Sequence, residues 1–190
     1  MGLMLSQQAD ADALLDRDPL ALVIGMVLDQ QIPLEKAFSS PYVLTQRLGH
    51  VPDAAEIAAM PEEVLVPLFA TPPALHRFPG SMAKRVQAMC QVVVEKYDGD
   101  VATVWTGATD GRDLLKRVSG LPGFGEQKAK IFVALLGKQY GVDVPGWREA
   151  AGEFGPADTY KSVADIRDAG SLAKVRDYKK QLKAAAKARD

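Results

Sequence analysis

Two glycines and two lysines lie close together in the segment 120–130. Gly123 and Gly125 belong to the run Gly-Leu-Pro-Gly-Phe-Gly, and Lys128 and Lys130 follow in a segment with a helical apolar pattern. Glycine permits positive φ and close backbone approach, and free amides beside a helix N-terminus bind anions. The run therefore predicts a phosphate-binding turn, although a turn that only joins two helices shows similar glycines.

Gln30 and Gln31 end an apolar stretch that begins after Pro19. The stretch is apolar nearly all round, which predicts a buried helix over 20–31 with both amides at its C-terminal end. Amides at this position cap the helix or contact a polar ligand, and the pattern leaves both interpretations open.

Composition favours a folded protein of one domain or two small lobes. The chain has 190 residues, of which 47% are hydrophobic and 25% charged. Cys90 is the single cysteine, which excludes an internal disulfide and a four-cysteine zinc or iron–sulfur site. We expect a cytoplasmic protein, because no apolar run reaches the roughly 18 residues of a membrane helix and the first residues have no secretory pattern.

The net charge of −1 hides an uneven distribution. Residues 171–190 carry seven Lys or Arg against two Asp, a local charge of +5, whereas residues 1–80 carry four against ten, a charge of −6. We predict a basic helix over 172–188. Such a helix is a solvated face or a nucleic-acid contact.

The remaining pattern predicts helices throughout. Ser81 suits the N-cap of a helix that ends near Tyr97, with Cys90 in its apolar stripe, and Asp110 suits the cap of the next long helix. Ser39-Ser40-Pro41 predicts a break in an earlier helix. Strong period-two alternation is absent, so the predicted class is all-α.

Three segments together resemble a known family. Leu-Pro-Gly-Phe-Gly over 121–125, followed by a Lys-Ala pair and an apolar helix, resembles the helix-hairpin-helix of the HhH-GPD DNA glycosylase superfamily. That superfamily includes endonuclease III and the adenine glycosylase MutY. Segment 22–31 resembles the family's early buried helix, which ends in a glutamine element at the DNA, and 81–100 resembles a later helix and turn. The resemblance covers about 19–147.

The resemblance implies two helical lobes with a DNA-binding cleft between them. A six-helix lobe would span 19–136, with the hairpin at 120–126, and the second lobe would combine 1–18 with 137–190, including the basic C-terminal helix. The iron–sulfur cluster of endonuclease III would be absent because Cys90 is alone.

The resemblance also assigns DNA contacts. Family members rotate the target nucleotide out of the duplex, and side chains fill the gap; Gln31, with Gln30 beside it, is the candidate here. The hairpin and its helix would contact the DNA backbone through Gly123, Phe124, Gly125, Lys128 and Lys130. The expected partner is double-stranded DNA containing a lesion, bound by a monomer that has no membrane association.

Catalytic residues follow from two family positions. Members that cleave the strand carry a lysine two residues after the second hairpin glycine, which forms a Schiff base with the sugar. Gln127 stands there, and Lys128 lies about 100° further around the helix. The family also uses an aspartate just past the hairpin helix. Asp143 is the candidate, although its spacing is about three residues short and no histidine follows, and Asp158 is the alternative.

The expected function is therefore a monofunctional DNA glycosylase without abasic-site lyase activity. One alternative is a non-enzymatic helix-hairpin-helix DNA-binding protein that has lost catalysis, and another is a helical adaptor whose resemblance is accidental. No cofactor and no side-chain metal site are expected. A monovalent cation at the hairpin carbonyls is the one ion that the resemblance suggests.

Overall fold

The computed structural model describes residues 2–190, and over those residues it contains helices and no strands, which confirms the all-α prediction. Six helices form the first part: α1 Ala9–Arg17, α2 Pro19–Leu28, α3 Leu34–Leu48, α4 Ala54–Ala59, α5 Glu62–Ala70 and α6 Pro79–Tyr97. Five follow: α7 Thr103–Thr106, α8 Gly111–Ser119, α9 Glu126–Gln139, α10 Trp147–Ala150 and α11 Ala169–Lys187. Two short 3-10 helices, Gly152–Phe154 and Val163–Asp165, separate α10 from α11.

Helix α2 lies in the core but is shorter than predicted. The Asp18 carboxylate accepts a hydrogen bond from the Leu20 amide, and Pro19 occupies the first turn. All residues from Leu20 to Leu28 are buried. The helix ends at Leu28, so the prediction of helix through Gln31 is wrong. The chain turns there because Gln31 adopts a positive φ of 60°, which places both glutamines in the connection to α3.

Helix α3 continues through Pro41, so the predicted break at 39–41 is wrong. Packing outweighs the hydrogen bond that a proline cannot donate. The Phe38 ring lies so close to Gly25 of α2 that a Cβ there would be 2.6 Å from it. The Ser40 hydroxyl also bonds to the carbonyl of Leu75, at 3.0 Å, which ties the middle of α3 to the loop before α6.

Helix α6 begins at Pro79, two residues before Ser81. The prediction that Ser81 caps this helix is therefore wrong. Proline suits the first helical position because its φ is already helical, and the Phe78 amide is bound by His76 Nδ1 at 3.0 Å. Cys90 lies in the buried stripe as predicted, and burial raises the pKa of its thiol to about 12.

The second half of the chain is fixed by caps and one buried ion pair. Asp110 accepts from the Asp113 amide and begins α8, as predicted. Asp168 and Ser171 cap α11 reciprocally, so this basic helix begins three residues before the predicted 172. Lys138 of α9 lies 2.6 Å from Asp165, and both side chains are at most 4% exposed.

Helix contacts connect the elements in two groups. α2 packs on α3 and α6, with α4 and α5 on α6; α8, α10 and both 3-10 helices pack on α9. α1 contacts α2 and α3, while its Leu15 carbonyl accepts a hydrogen bond from Tyr140 at the end of α9. The N-terminal segment thus touches both predicted lobes, and the boundaries at 18/19 and 136/137 stay a prediction. Among the described residues, no helix is long and apolar enough to cross a membrane.

Candidate nucleic-acid interface and active site

The hairpin between α8 and α9 packs tightly on α2. Gly123 has a φ of +93°, and a Cβ there would meet Val27 at 3.2 Å and Arg85 at 3.4 Å. Glycine is therefore required for both conformation and space. Gly125 is the N-cap of α9 with an ordinary φ of −74°, so the expectation of positive φ holds only for Gly123. The space beside Gly125 is open, which allows close approach of a ligand.

The backbone amides at the hairpin are available to a ligand. Within residues 2–190, no protein acceptor bonds the amides of Gly123 and Gly125, and no side chain caps α9. Between them, the Phe124 amide bonds to the Leu121 carbonyl at 3.1 Å, and after Gly125 the next amide with a partner is that of Ala129, which bonds to the Gly125 carbonyl at 2.9 Å. Free amides at a helix N-terminus attract an anion. Arg85 and Lys128 line the same shallow cleft and add positive charge.

A deeper cleft of about 900 Å³ lies on the other side of Lys128, between the turn after α2, helix α9 and the basic helix α11. Its wall carries five cationic side chains, one of them from the loop before α6 and three from α11: Arg77, Lys128, Arg176, Lys179 and Lys183. Gln30 and Lys128 line both clefts, so the two clefts are contiguous.

Gln30 is held in place and Gln31 is not. The side-chain amide of Gln30 donates to the Val27 carbonyl at 3.2 Å and accepts from Arg85 at 3.4 Å. The backbone carbonyl of Gln30 lies 2.8 Å from His76 Nε2. Gln31 is exposed on the cleft wall. Its φ of 60° is uncommon for a residue other than glycine, and such strain is concentrated at functional sites.

Asp29 and Glu35 are the two carboxylates of the deeper cleft. Glu35 forms an ion pair with Arg176 of α11. Asp29 has no hydrogen-bonding side chain and no cation within 4.0 Å in the part of the chain that the structure describes. Burial raises the pKa of Asp29, and the charges of Lys179 and Lys128 oppose that rise.

Lys128 connects the hairpin to the end of α2. Its ammonium donates to the Val27 carbonyl at 3.3 Å, where the C-terminal dipole of α2 favours a cation. Burial lowers the pKa of Lys128, while the Asp29 carboxylate opposes that change. Lys128 therefore lies between the hairpin with its free amides and a partly buried carboxylate.

The comparison with known proteins agrees with this geometry. The family model described as HhH-GPD superfamily base excision DNA repair protein matches residues 24–188, which include both clefts and α11. The chain belongs to this superfamily. No curated protein and no solved structure matches it. The predicted family is thus confirmed, and with it base excision DNA repair, DNA as the partner and DNA glycosylase as the general class of enzyme.

Two of the residues predicted to contact DNA in this HhH-GPD protein, Phe124 and Lys130, make contacts within the fold. The Phe124 side chain is buried and packs on Phe132 with ring centroids 5.5 Å apart, and its amide donates to the Leu121 carbonyl. It supports the hairpin from the core. Lys130 bonds to Glu126 one turn earlier, at 3.2 Å, and lines neither cleft. Phe124 nevertheless lines the hairpin cleft together with Gly123, Gly125, Gln30 and Lys128, and Gln31 lines the adjoining deeper cleft.

The candidate acids from the sequence lie elsewhere. Asp143 is exposed in the segment after α9, and Asp158 is exposed between the two 3-10 helices. Neither lines the hairpin cleft or the deeper cleft. Asp158 instead borders a smaller cavity that contains Lys138 and Asp165. Gln127, by contrast, lines the deeper cleft, as expected for the position of the family's lysine.

Sequence reasoning missed Asp29 and Phe78, and it did not predict the hydrogen bonds that His76 makes. Asp29 directly precedes the two glutamines, and this adjacency was the available signal. His76 is buried and joins the Gln30 carbonyl to the Phe78 amide, so Nδ1 accepts and Nε2 carries the proton. Phe78 is 44% exposed, with the Arg77 guanidinium 5.4 Å from its ring centre. Only the fold shows that this aromatic ring stands beside the Gln30 turn.

Proposed function

We propose that this protein is a monofunctional DNA glycosylase, which hydrolyses the bond between sugar and base at a damaged or mismatched nucleotide of duplex DNA. The observation that carries the proposal is the contiguity of the two clefts through Gln30 and Lys128. One cleft has the free amides and cations for a phosphate, and the other has the volume for a nucleotide turned out of the duplex.

The hairpin would bind the DNA backbone through the amides of Gly123 and Gly125 and through Lys128 and Arg85. The exposed side chain of Gln31 would occupy the space that the displaced nucleotide leaves. Phe78 stands on the neighbouring loop, which His76 joins to the Gln30 turn. An exposed apolar ring at this place suits stacking on an unpaired base.

Absence of lyase chemistry follows from Gln127. An amide cannot form a Schiff base, and Gln127 is the α9 side chain at the family's lysine position in the deeper cleft. Lys128 is bound to the Val27 carbonyl, where its charge supports the fold and the DNA phosphate. The reaction proposed is therefore hydrolysis with water as nucleophile, which leaves an intact strand with an abasic site.

The remaining expectations concern surroundings rather than chemistry. We propose that the protein acts as a monomer in the cytoplasm. A reducing compartment suits its single buried thiol, and the cytoplasm suits a DNA substrate. Among the described residues, no group of three His, Cys, Asp or Glu could hold a metal ion. The monovalent cation at the hairpin carbonyls stays a prediction, and no step proposed here passes through it.

The test is incubation of the protein with duplexes that each carry one damaged or mismatched base, followed by alkali. We expect strand breaks at one type of lesion after alkali and none before it, with no protein–DNA adduct after borohydride. Asp143→Asn and Asp158→Asn measure the two acids expected from the sequence. Salt-sensitive binding to every duplex without base release would support the non-enzymatic alternative and contradict the proposal, and a borohydride adduct would contradict its monofunctional part.

A further inference from the structure

The deeper cleft combines an excess of positive charge with one unpaired carboxylate. Five cations line it against two acids, and Arg176 already neutralises Glu35. The cations suit phosphates. They do not suit a sugar that becomes positively charged as its base departs. Asp29 is the carboxylate of this cleft that no described residue pairs within 4.0 Å, so its charge is available to a ligand.

Asp29 occupies a position that is unfavourable for the fold. It is the C-cap residue of α2, where the helix dipole disfavours negative charge. It is also partly buried, and no described side chain donates a hydrogen bond to it. No fully buried side-chain oxygen or nitrogen in the described chain lacks a partner, so the unpartnered Asp29 oxygens keep accessible surface at the wall of the deeper cleft. A carboxylate placed against stability and facing a ligand cleft is typical of a functional group.

We propose that Asp29 is a catalytic carboxylate of base excision in this protein, a role that rests on the function proposed above. The bond between C1′ and the base nitrogen breaks, and its electron pair leaves with the base. The Asp29 carboxylate stabilises the resulting sugar cation. Water attacks C1′ to form the new C–O bond, and its proton passes to Asp29 and on to solvent, while the departing base takes a proton from solvent.

The surroundings of Asp29 suit this role. Lys128 from α9 and Lys179 from α11 interact with its charge and oppose the rise that burial causes in its pKa. Burial raises the pKa of Asp29, so it accepts a proton more readily than an exposed aspartate. Gln127 lies in the same cleft and offers an amide that can orient water. Asp143 and Asp158 have no comparable position, because they line neither cleft.

Two abasic-site analogues test the proposal without knowledge of the lesion. One duplex carries a pyrrolidine residue, which is positively charged like the sugar cation, and the other carries neutral tetrahydrofuran at the same position. We expect the wild type to bind the pyrrolidine duplex roughly tenfold to a hundredfold more tightly, the worth of one charge-assisted contact. Asp29→Asn should bind both duplexes alike, with its affinity for tetrahydrofuran unchanged. Asp98→Asn, an exposed site at the end of α6, is the matched control.

The pH dependence of the analogue preference provides a second measurement. The preference for pyrrolidine should fall as pH is lowered towards the raised pKa of Asp29, because protonation removes the charge. Lys128 and Lys179 are the cations that interact with the charge of Asp29, and Arg77, Arg176 and Lys183 complete the wall. Glu35 is the other acid of the cleft and is paired with Arg176, and Glu35→Gln, measured beside the wild type, separates the contribution of this acid from that of Asp29.

The outcomes separate this inference from the proposed function. Equal binding of both analogues by the wild type, or a preference lost in Asp143→Asn and kept in Asp29→Asn, overturns the role of Asp29. Base release from a lesion duplex would then still support the glycosylase. Failure to bind either duplex overturns both proposals.

Discussion

The ammonium of Lys128 donates a hydrogen bond of 3.3 Å to the carbonyl of Val27, which lies 101 residues earlier in the chain. This bond joins the helix that follows the hairpin to the C-terminal end of α2. It lies where the shallow hairpin cleft meets the deeper cleft, since Lys128 lines both. The glycine turn and the Asp-Gln-Gln segment therefore form one site, although neither segment is close to the other in sequence.

Lys128→Gln should weaken DNA binding without changing its sequence preference. The variant removes one cation beside the hairpin amides, so the slope of log K against log salt should fall by about 0.9. Binding of a lesion-free duplex at several salt concentrations measures the slope. Lys96→Gln on the exposed face of α6 is the control, because Lys96 lines neither cleft. An unchanged slope in Lys128→Gln would contradict a phosphate contact at the hairpin.

Gln127→Lys should introduce lyase chemistry, which the proposed function does not assign to the wild type. The new amine would project into the deeper cleft, where the flipped sugar is expected. Nearby cations lower the pKa of a lysine and keep a fraction of it neutral and nucleophilic. Borohydride should trap this variant on abasic-site DNA, whereas the wild type and Gln139→Lys at the end of α9 should give no adduct. An adduct with the wild type would indicate that Lys128 forms the Schiff base, and it would contradict the monofunctional assignment.

Asp29→Asn should make the protein more stable near neutral pH. Burial raises the pKa of Asp29 above the ordinary 3.8, so the folded protein holds a proton that the unfolded chain has released. The free energy of unfolding therefore falls as pH rises through the interval between the two pKa values, and the cost persists above it. Asparagine removes that cost. Thermal unfolding between pH 4 and pH 8 should show a higher Tm for the variant at pH 7 and a flatter acid dependence.

A lower Tm for Asp29→Asn at every pH would indicate that the residue stabilises the fold rather than serving the reaction. Asp98→Asn controls for the isosteric exchange itself. Replacing a functional carboxylate should raise the stability of the fold and weaken ligand recognition. We therefore expect Asp29→Asn to have a higher Tm and to lose the preference for the pyrrolidine duplex.

Asp165→Asn should destabilise the protein by about 3–5 kcal/mol, because it leaves Lys138 charged and buried. The Asp165 carboxylate also accepts from the Lys161 amide and the Thr159 hydroxyl, so several bonds weaken together. Urea unfolding measures the loss. Glu62→Gln removes an exposed ion pair with Lys84 and should cost less than about 1 kcal/mol. Similar losses for both variants would contradict the structural importance of the buried pair.

The helical class and most helix positions could be predicted because they depend on local signals. Asp110 is a cap in both the sequence and the structure, and the apolar stripe that contains Cys90 is buried as predicted. Pro41 was misread because the packing of Phe38 against Gly25 is not local. Ser81 was misread because proline at position 79 already provides a helix start.

The residues of the candidate site also fall into those with a local sequence signal and those without one. Gly123 and Gly125 mark a turn in the sequence itself, and Gln31 follows a recognisable buried helix. Asp29, Phe78 and the hydrogen bonds of His76 could not be predicted, because they depend on which loops lie side by side. The family's aspartate position, just past the hairpin helix, points to Asp143, whereas the lining of the deeper cleft points to Asp29. The sequence alone does not show how far either residue lies from the cleft.

The most direct test of the account is the detection of free base by mass spectrometry after single-turnover incubation with lesion duplexes, for the wild type and Asp29→Asn at equal DNA occupancy. We predict that the wild type releases one type of base and leaves the strand intact, and that Asp29→Asn binds the same duplex with base release reduced at least about a hundredfold. No released base from any duplex that the wild type binds, or undiminished release by Asp29→Asn, would contradict it.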